Sequence, residues 1–202
     1  MKGKGCLIGG GILVILAIIG FWAVGKYNGF VPLQEKVNAQ WSNVENTYQK
    51  RADLVPNLVN TVKGAANFEQ STLTSVIEAR AKATSTQIKI DDVDQLTDEN
   101  IAKFQAAQDE LSGALSRLLV SVEQYPQLTA TQNFQSLQAE LSSIEQEVLF
   151  ERRKYNEVAE GFNSTIKTFP NNIIANFGNF KEKGYFKAAA GSENAPTVDF
   201  NK

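Results

Sequence analysis

GCLIGGGILVILAIIGFWAVG, residues 5–25, carries no charge between Lys4 and Lys26. At about 1.5 Å per residue a helix of this length spans roughly 30 Å, the thickness of a bilayer's hydrocarbon core. The run therefore divides the chain. Residues 1–4 are a short basic N-terminus, residues 5–25 a transmembrane helix, and the rest a water-soluble, helix-patterned chain tethered at one end. A cleaved signal peptide is the main rival, with Lys2 and Lys4 as its basic start and Ala23-Val24-Gly25 as a weak cleavage site. Signal cores usually run about 7–15 residues, and the greater length here favours a retained single-pass anchor in the cell membrane. Cys6 precedes the apolar run instead of following it, which argues against a lipoprotein cysteine. It is the only cysteine, so intrachain disulfides are impossible.

Lys2, Lys4 and the terminal amine lie before the span, against Lys26 and Lys36 in the comparable window after it. That slight excess favours a cytoplasmic Met1 and an extracytoplasmic bulk. Gly5-x-x-x-Gly9, with Gly10 and Gly11 beside it, permits close packing of neighbouring spans, although glycine is common in membrane helices in any case. Trp22, Tyr27 and Phe30 can sit at the headgroup level.

The soluble part is mildly acidic once Lys2 and Lys4 are set aside, because the whole chain has 20 Lys+Arg against 22 Asp+Glu. A nucleic-acid reader would show a basic face or stripe, so no nucleic-acid partner is expected. The absence of histidine excludes His-based acid–base catalysis and His-ligated metal sites. With the one cysteine in the membrane run, zinc sites are excluded too.

Residues 26–32 read as a linker, with Asn28-Gly29 as a turn signal and Pro32 suited to the first turn of a new helix. Residues 33–170 read as helical. Val37, Trp41, Val44, Tyr48, Val55, Leu58, Val62 and Ala65 alternate steps of four and three, broken only by a polar gap at Arg51. Pro56 predicts a kink near Ala52–Pro56, or two helices meeting there, because proline removes a hydrogen bond and clashes with the carbonyl of Ala52. A second, weaker helix is expected from Glu69 to about Lys89, either continuous with the first or turning at Gly64–Asn67. Ile90–Leu96 (IDDVDQL) reads as a solvated loop, since its aspartates lack the glycine and final glutamate of an EF-hand. Thr97 caps a third helix with acids in its first turn and Pro126 at its end. Ile101, Phe104, Gln108, Leu111, Leu115, Leu118, Val122 and Tyr125 form its stripe. A fourth helix is expected over Gln132–Phe169, with its own polar gap at Glu151. Four amphipathic helices on short connections predict an all-α fold, an antiparallel four-helix bundle with long first and fourth helices.

The residues also carry a resemblance. Arg51-Ala52-Asp53-Leu54-Val55-Pro56-Asn57-Leu58-Val59, then Val62-Lys63-Gly64, resemble the signature of the LemA family. Leu115-Ser116-Arg117-Leu118-Leu119, Tyr125-Pro126, Asn133-Phe134 with Leu137-Gln138, Arg152-Arg153 with Tyr155-Asn156, and Thr168-Phe169-Pro170-Asn171 agree with it. So do Tyr185-Phe186 and Ala195-Pro196. The resemblance implies an N-terminal membrane helix with an antiparallel four-helix bundle and no established activity. It also implies a short N-terminus outside the cell, opposite to the charge count. Phe68 stands where the family often has histidine, which removes any metal or acid–base role there. Phe177-Gly178-Asn179-Phe180-Lys181 departs from the family's Phe-Gly-Phe-Lys.

Candidate chemistry is thin. Arg152-Arg153-Lys154 could meet phosphate, but three basic residues on a helix point different ways, so a solvated face with one inward arginine is the simpler reading. Glu145, Glu147 and Glu151 lack the Glu-x-x-His pairs of a di-metal bundle. The gaps at Arg51 and Glu151 fall near the middle of the two longest helices and predict a partly buried ion pair that fixes register, completed by Asp53, Arg152 and Asn156. The aromatic tail over residues 171–202 (Phe177, Phe180, Tyr185, Phe186) is most simply a plug on one bundle end, with a partner surface as the sharper alternative. No nucleophile–base pair or cofactor motif is visible, and no cofactor is expected. The expected role is a non-enzymatic membrane scaffold or assembly protein, self-associating. The alternative is an accessory subunit of a membrane enzyme such as a protease or transporter. The implied partners are the lipid bilayer, further copies of the chain, and a membrane protein.

Overall fold

A computed structural model describes residues 2–64, 68–86 and 95–188, the side chains of residues 2–8 excepted. Among the described residues the protein is all helical, with no strand. The elements are α1 (Lys2–Lys63), α2 (Gln70–Ser85), α3 (Asp98–Val122), α4 (Pro126–Thr129), α5 (Gln132–Lys167) and α6 (Asn171–Phe177).

α1 is an unbroken helix of 62 residues, about 90 Å long at ~1.5 Å per residue. The linker expected at residues 26–32 does not exist. Asn28-Gly29 does not turn, and Pro32 lies inside the helix. A break there would leave orphan N–H and C=O groups at two new helix ends, whereas a continuous helix joins two segments that are each strongly helical. Pro56 does not divide α1 into two helices either. It cannot donate to the carbonyl of Ala52, and Arg80 of α2 fills that place: its Nε donates to Ala52 O at 2.7 Å. The loss that should have broken α1 becomes the bond that ties α2 to it.

α1 and α2 are separate helices, α1 ending at Lys63 before a turn at Gly64. The Asp-rich loop expected at Ile90–Leu96 lies largely outside the described residues. Thr97 caps α3, its side chain accepting from Asn100 N at 3.3 Å, with Asp98 and Glu99 in the first turn. Pro126 opens the one-turn helix α4 instead of only closing α3. Thr131 caps α5 through Phe134 N.

Contacts fix the directions. Moving along α1 from Gln40 to Lys50 and Arg51, the partners on α5 step back from Glu151 to Glu147 and Glu145, so the two run antiparallel. α1 and α3 run the same way, since Trp41 meets Phe104 and Arg51 meets Gln108 and Ser112. α2 opposes α3: Ser71 and Thr72 face Arg117 across a cleft, while Gln108 reaches Ala83.

One apolar core results. Val37, Trp41, Val44, Tyr48, Val55, Leu58 and Val62 of α1 are all buried, with the α3 stripe and Phe134, Leu141, Ile144, Val148, Tyr155, Phe162 and Ile166 of α5. The core begins at Phe30. Upstream of Phe30, the described part of α1 is exposed on nearly every side.

Candidate functional site

Arg51 fills the gap in its stripe and is 1% exposed. Nη1 donates to Ser112 Oγ and, at 2.9 Å, to Glu145 Oε1; Nη2 donates to the carbonyl of Gln108 at 3.0 Å and to its side-chain Oε1 at 2.8 Å. Its guanidinium also lies over the Tyr48 ring, 4.9 Å from the centroid. The expected partner Glu151 is elsewhere: it accepts from Gln40 Nε2. The ion pair of Arg51 is therefore with Glu145. Asp53 takes Gln49, Arg152 takes the carbonyl of Lys187, and Asn156 takes the backbone of Phe186, so none of them completes the Arg51 site. The mid-helix argument failed because helix midpoints do not set the register between two helices; side-chain packing does. Register is set instead where Trp41 meets Tyr155, ring centroids 5.4 Å apart. Three glutamates of α5 each take a donor from α1: Glu145 from Arg51, Glu147 from Lys50 at 2.7 Å, Glu151 from Gln40. Among the described residues, no group of acids is placed to hold a metal ion.

The tail is clamped by side-chain amides, a feature the sequence reading missed. Asn163 donates to Lys183 O at 2.7 Å and accepts from Lys183 N at 2.8 Å. Asn156 does the same to Phe186, at 2.8 and 2.9 Å, and Gln105 to Lys187, at 3.0 and 3.2 Å. Each amide pairs both polar groups of one tail residue, as a neighbouring strand would. The only advance signal is polar amides on or beside apolar stripes. Gly184 lies against the backbone of Thr97 and Asp98 so closely that a Cβ would come within 2.6 Å of Thr97 C.

The clamp delivers Phe186 into the core, stacked on Trp41 at 5.8 Å and edge-on to Tyr155 at 5.6 Å. Phe186 is thus buried and presents no partner surface. Phe180 packs edge-on against Tyr27 and Phe30, and the Tyr185 hydroxyl accepts from Asn163 at 2.9 Å. Of the four tail aromatics expected at a partner surface, Phe177 alone stands free in solvent. Phe30, expected among headgroups, is likewise core, covered by Phe180. Trp22 and Tyr27 are partly exposed at the foot of the helical body. Phe68, in the position that lacks histidine, packs on Tyr125 at 5.1 Å.

Two features of the interior titrate abnormally. Burial pushes the Tyr48 and Tyr155 phenols up, and Tyr155 OH has no hydrogen-bond partner among the described residues. Burial also pushes the Glu45 carboxyl up to about 6, opposed by the adjacent Trp41 indole, whose N–H makes no geometrically complete hydrogen bond. Glu45 borders a cleft of about 190 Å³ with Tyr48, Phe104 and Gln108. Apart from the helix's own nearby backbone, no atom of the described residues lies within 4 Å of where a Cβ would stand on Gly9, Gly10 or Gly11. The surroundings of Gly5 lie outside the described side chains.

The model of the LemA family matches residues 40–200. The chain is 28% identical to Protein LemA of Metamycoplasma hominis over 163 residues, which is 81% of this chain and 69% of that protein. It is 26% identical over 192 residues to Magnetosome protein MamQ 2 of Paramagnetospirillum magneticum, covering 87% of this chain and 71% of the relative. Magnetosome protein MamQ of Magnetospirillum gryphiswaldense is also 26% identical, over 80% of this chain and 64% of its own length.

Proposed function

The chain belongs to the LemA family, and on that premise we propose that it is a membrane-anchored, non-enzymatic scaffold that assembles with further copies of itself. The carrying observation is the division of α1. Its upstream half contains a stretch apolar enough to cross a bilayer, and none of that stretch is buried by the described residues. Its downstream half is one stave of what we read as an antiparallel four-helix bundle. The interior polar groups support a structural role: Gln40 donates to Glu151, Arg51 to Ser112, Gln108 and Glu145, and Gln108 to the carbonyl of Ala83. The relatives named as magnetosome proteins carry the name of a structure and not of a reaction, which agrees with that reading. The open glycine face of the span is where neighbouring copies would approach.

Extraction in mild detergent, with native mass and identification of co-purifying chains, tests this reading. A particle built of one repeating subunit supports it. Stoichiometric recovery of a foreign protease or transporter would replace it with the accessory-subunit reading. Gly5→Leu with Gly9→Leu should shrink the particle if the span mediates assembly. For topology, the charge count places the helical body outside, so protease added to intact spheroplasts should digest it.

A further inference from the structure

The foot of the helical body carries an apolar face that none of the described residues covers. Phe169 is 77% exposed, Ile173 45% and Phe177 88%. Ile173 and Phe177 are four apart and so share one side of α6, with Phe169 just ahead of the helix across Pro170, while Ala175 of the same helix is buried. No charge occurs between Lys167 and Lys181. The other residues of α6 are three asparagines, Ile174 and Ala175.

The position of this face names its occupant. α6 lies beside α1 just where the apolar run ends. The Gly178 turn abuts Tyr27, and Phe180 seats against Tyr27 and Phe30. An open groove of about 440 Å³ separates Trp22, Gly25 and Lys26 of α1 from Thr165 and Asn171. Residues 22–30 of α1 rise by about 12 Å, comparable with one headgroup layer and its margin. Because α1 does not bend into a linker, the level of α6 relative to the span is fixed by the helix itself.

We propose that α6 is a second membrane contact: Phe169, Ile173 and Phe177 insert into the interfacial layer of the bilayer beside the span. The inference rests on the anchored reading of α1. Uncharged amides interleaved with aromatic and aliphatic groups suit that layer, where one face meets acyl chains and the other stays wet. A soluble protein partner would need the face to point away from the bilayer, whereas it lies level with the end of the span. The contact makes the helical body stand at a fixed height and rotation on the membrane.

The test uses the full-length Cys6→Ser chain in phosphatidylcholine vesicles, with single spin-labelled cysteines at Phe177→Cys, Ile173→Cys, Val14→Cys and Val120→Cys. Val14 reports the span, and Val120 is an exposed apolar residue near the end of α3 remote from the foot. Labels at 177 and 173 should collide preferentially with oxygen, approaching the label at 14, while the label at 120 should collide preferentially with an aqueous nickel complex. Nickel-accessible labels at 177 and 173 with an oxygen-rich label at 14 would overturn the inference and leave the anchor standing. An aqueous label at 14 would overturn both.

Discussion

Residues 9–29 and residues 30–63 of α1 share one backbone and one ladder of hydrogen bonds, yet they answer to different surroundings. The upstream half is apolar on every side as far as Gly25 and meets the rest of the described protein near its end, at Tyr27. The downstream half is apolar only along a stripe, and its partners bury that stripe. A helix conserves its geometry whatever surrounds it, so what separates the halves is where the apolar residues stand around the axis. Arg51 shows how far the downstream half depends on its neighbours, because they supply the four hydrogen bonds of its two Nη atoms, while its buried Nε has no partner among the described residues. Upstream, Gly9–Gly11 offer nothing polar to satisfy and leave the face open.

The largest effect should come from leaving that guanidinium alone. Glu145→Met should cost about 3–5 kcal/mol in denaturant unfolding of the detergent-solubilised chain, since Arg51 then loses its carboxylate partner while still buried. Arg51→Met should cost less, because the Glu145 side chain is 38% exposed and can turn to water. The double variant should recover part of the first loss, and additive losses would mean that the pair is not coupled. None of these variants should alter the membrane-bound fraction. The converse substitution, Ile15→Asp, should weaken membrane insertion by about 2.5–3.5 kcal/mol, read as loss from the carbonate-resistant fraction. The unfolding midpoint of the helical body should stay put; a shift in it would show that the halves are energetically joined.

The repair at Pro56 gives a smaller, sharper test. Arg80→Ala strips the substitute donor from Ala52 O and should cost about 1–2 kcal/mol. In a Pro56→Ala background the backbone N–H returns, so the same loss should shrink; an unchanged cost would assign Arg80 some other role. Smallest is Glu45. Its carboxyl rises from 4.5 to about 6 on folding, so between those values the folded chain holds a proton that the unfolded chain has released. Stability from this group is therefore present below about pH 4.5 and lost as pH rises through about 6. Glu45 is only half-buried, so the effect should stay under about 1 kcal/mol. Glu45→Gln should raise the unfolding midpoint near pH 8 and leave it unchanged near pH 4.

Periodicity made the helices legible, because side-chain spacing reports directly on which face is buried. The long apolar helix, the Thr97 cap, the stripes and the family could all be taken from residue order. Local break signals misled at Asn28-Gly29 and Pro32, where the helix on both sides outweighs the turn preference. The pairing of Arg51 was half legible. A cation on an apolar seam announces a buried partner, but naming it needs the register between α1 and α5, and one-dimensional spacing carries no register between two chains of side chains.

The sequence alone determined that this protein is helical, where its apolar span lies, and that one arginine must be satisfied inside it. Those properties follow from neighbours within a few residues along the chain. Only the tertiary structure decided that Glu145 and not Glu151 takes Arg51, that Arg80 mends the ladder at Pro56, that amides of α3 and α5 clamp the tail, and that Phe186 is core while Phe177 is not. Each joins residues far apart in sequence, so it depends on how separate helices slide and rotate against one another, and that is settled by the packing of the whole core at once.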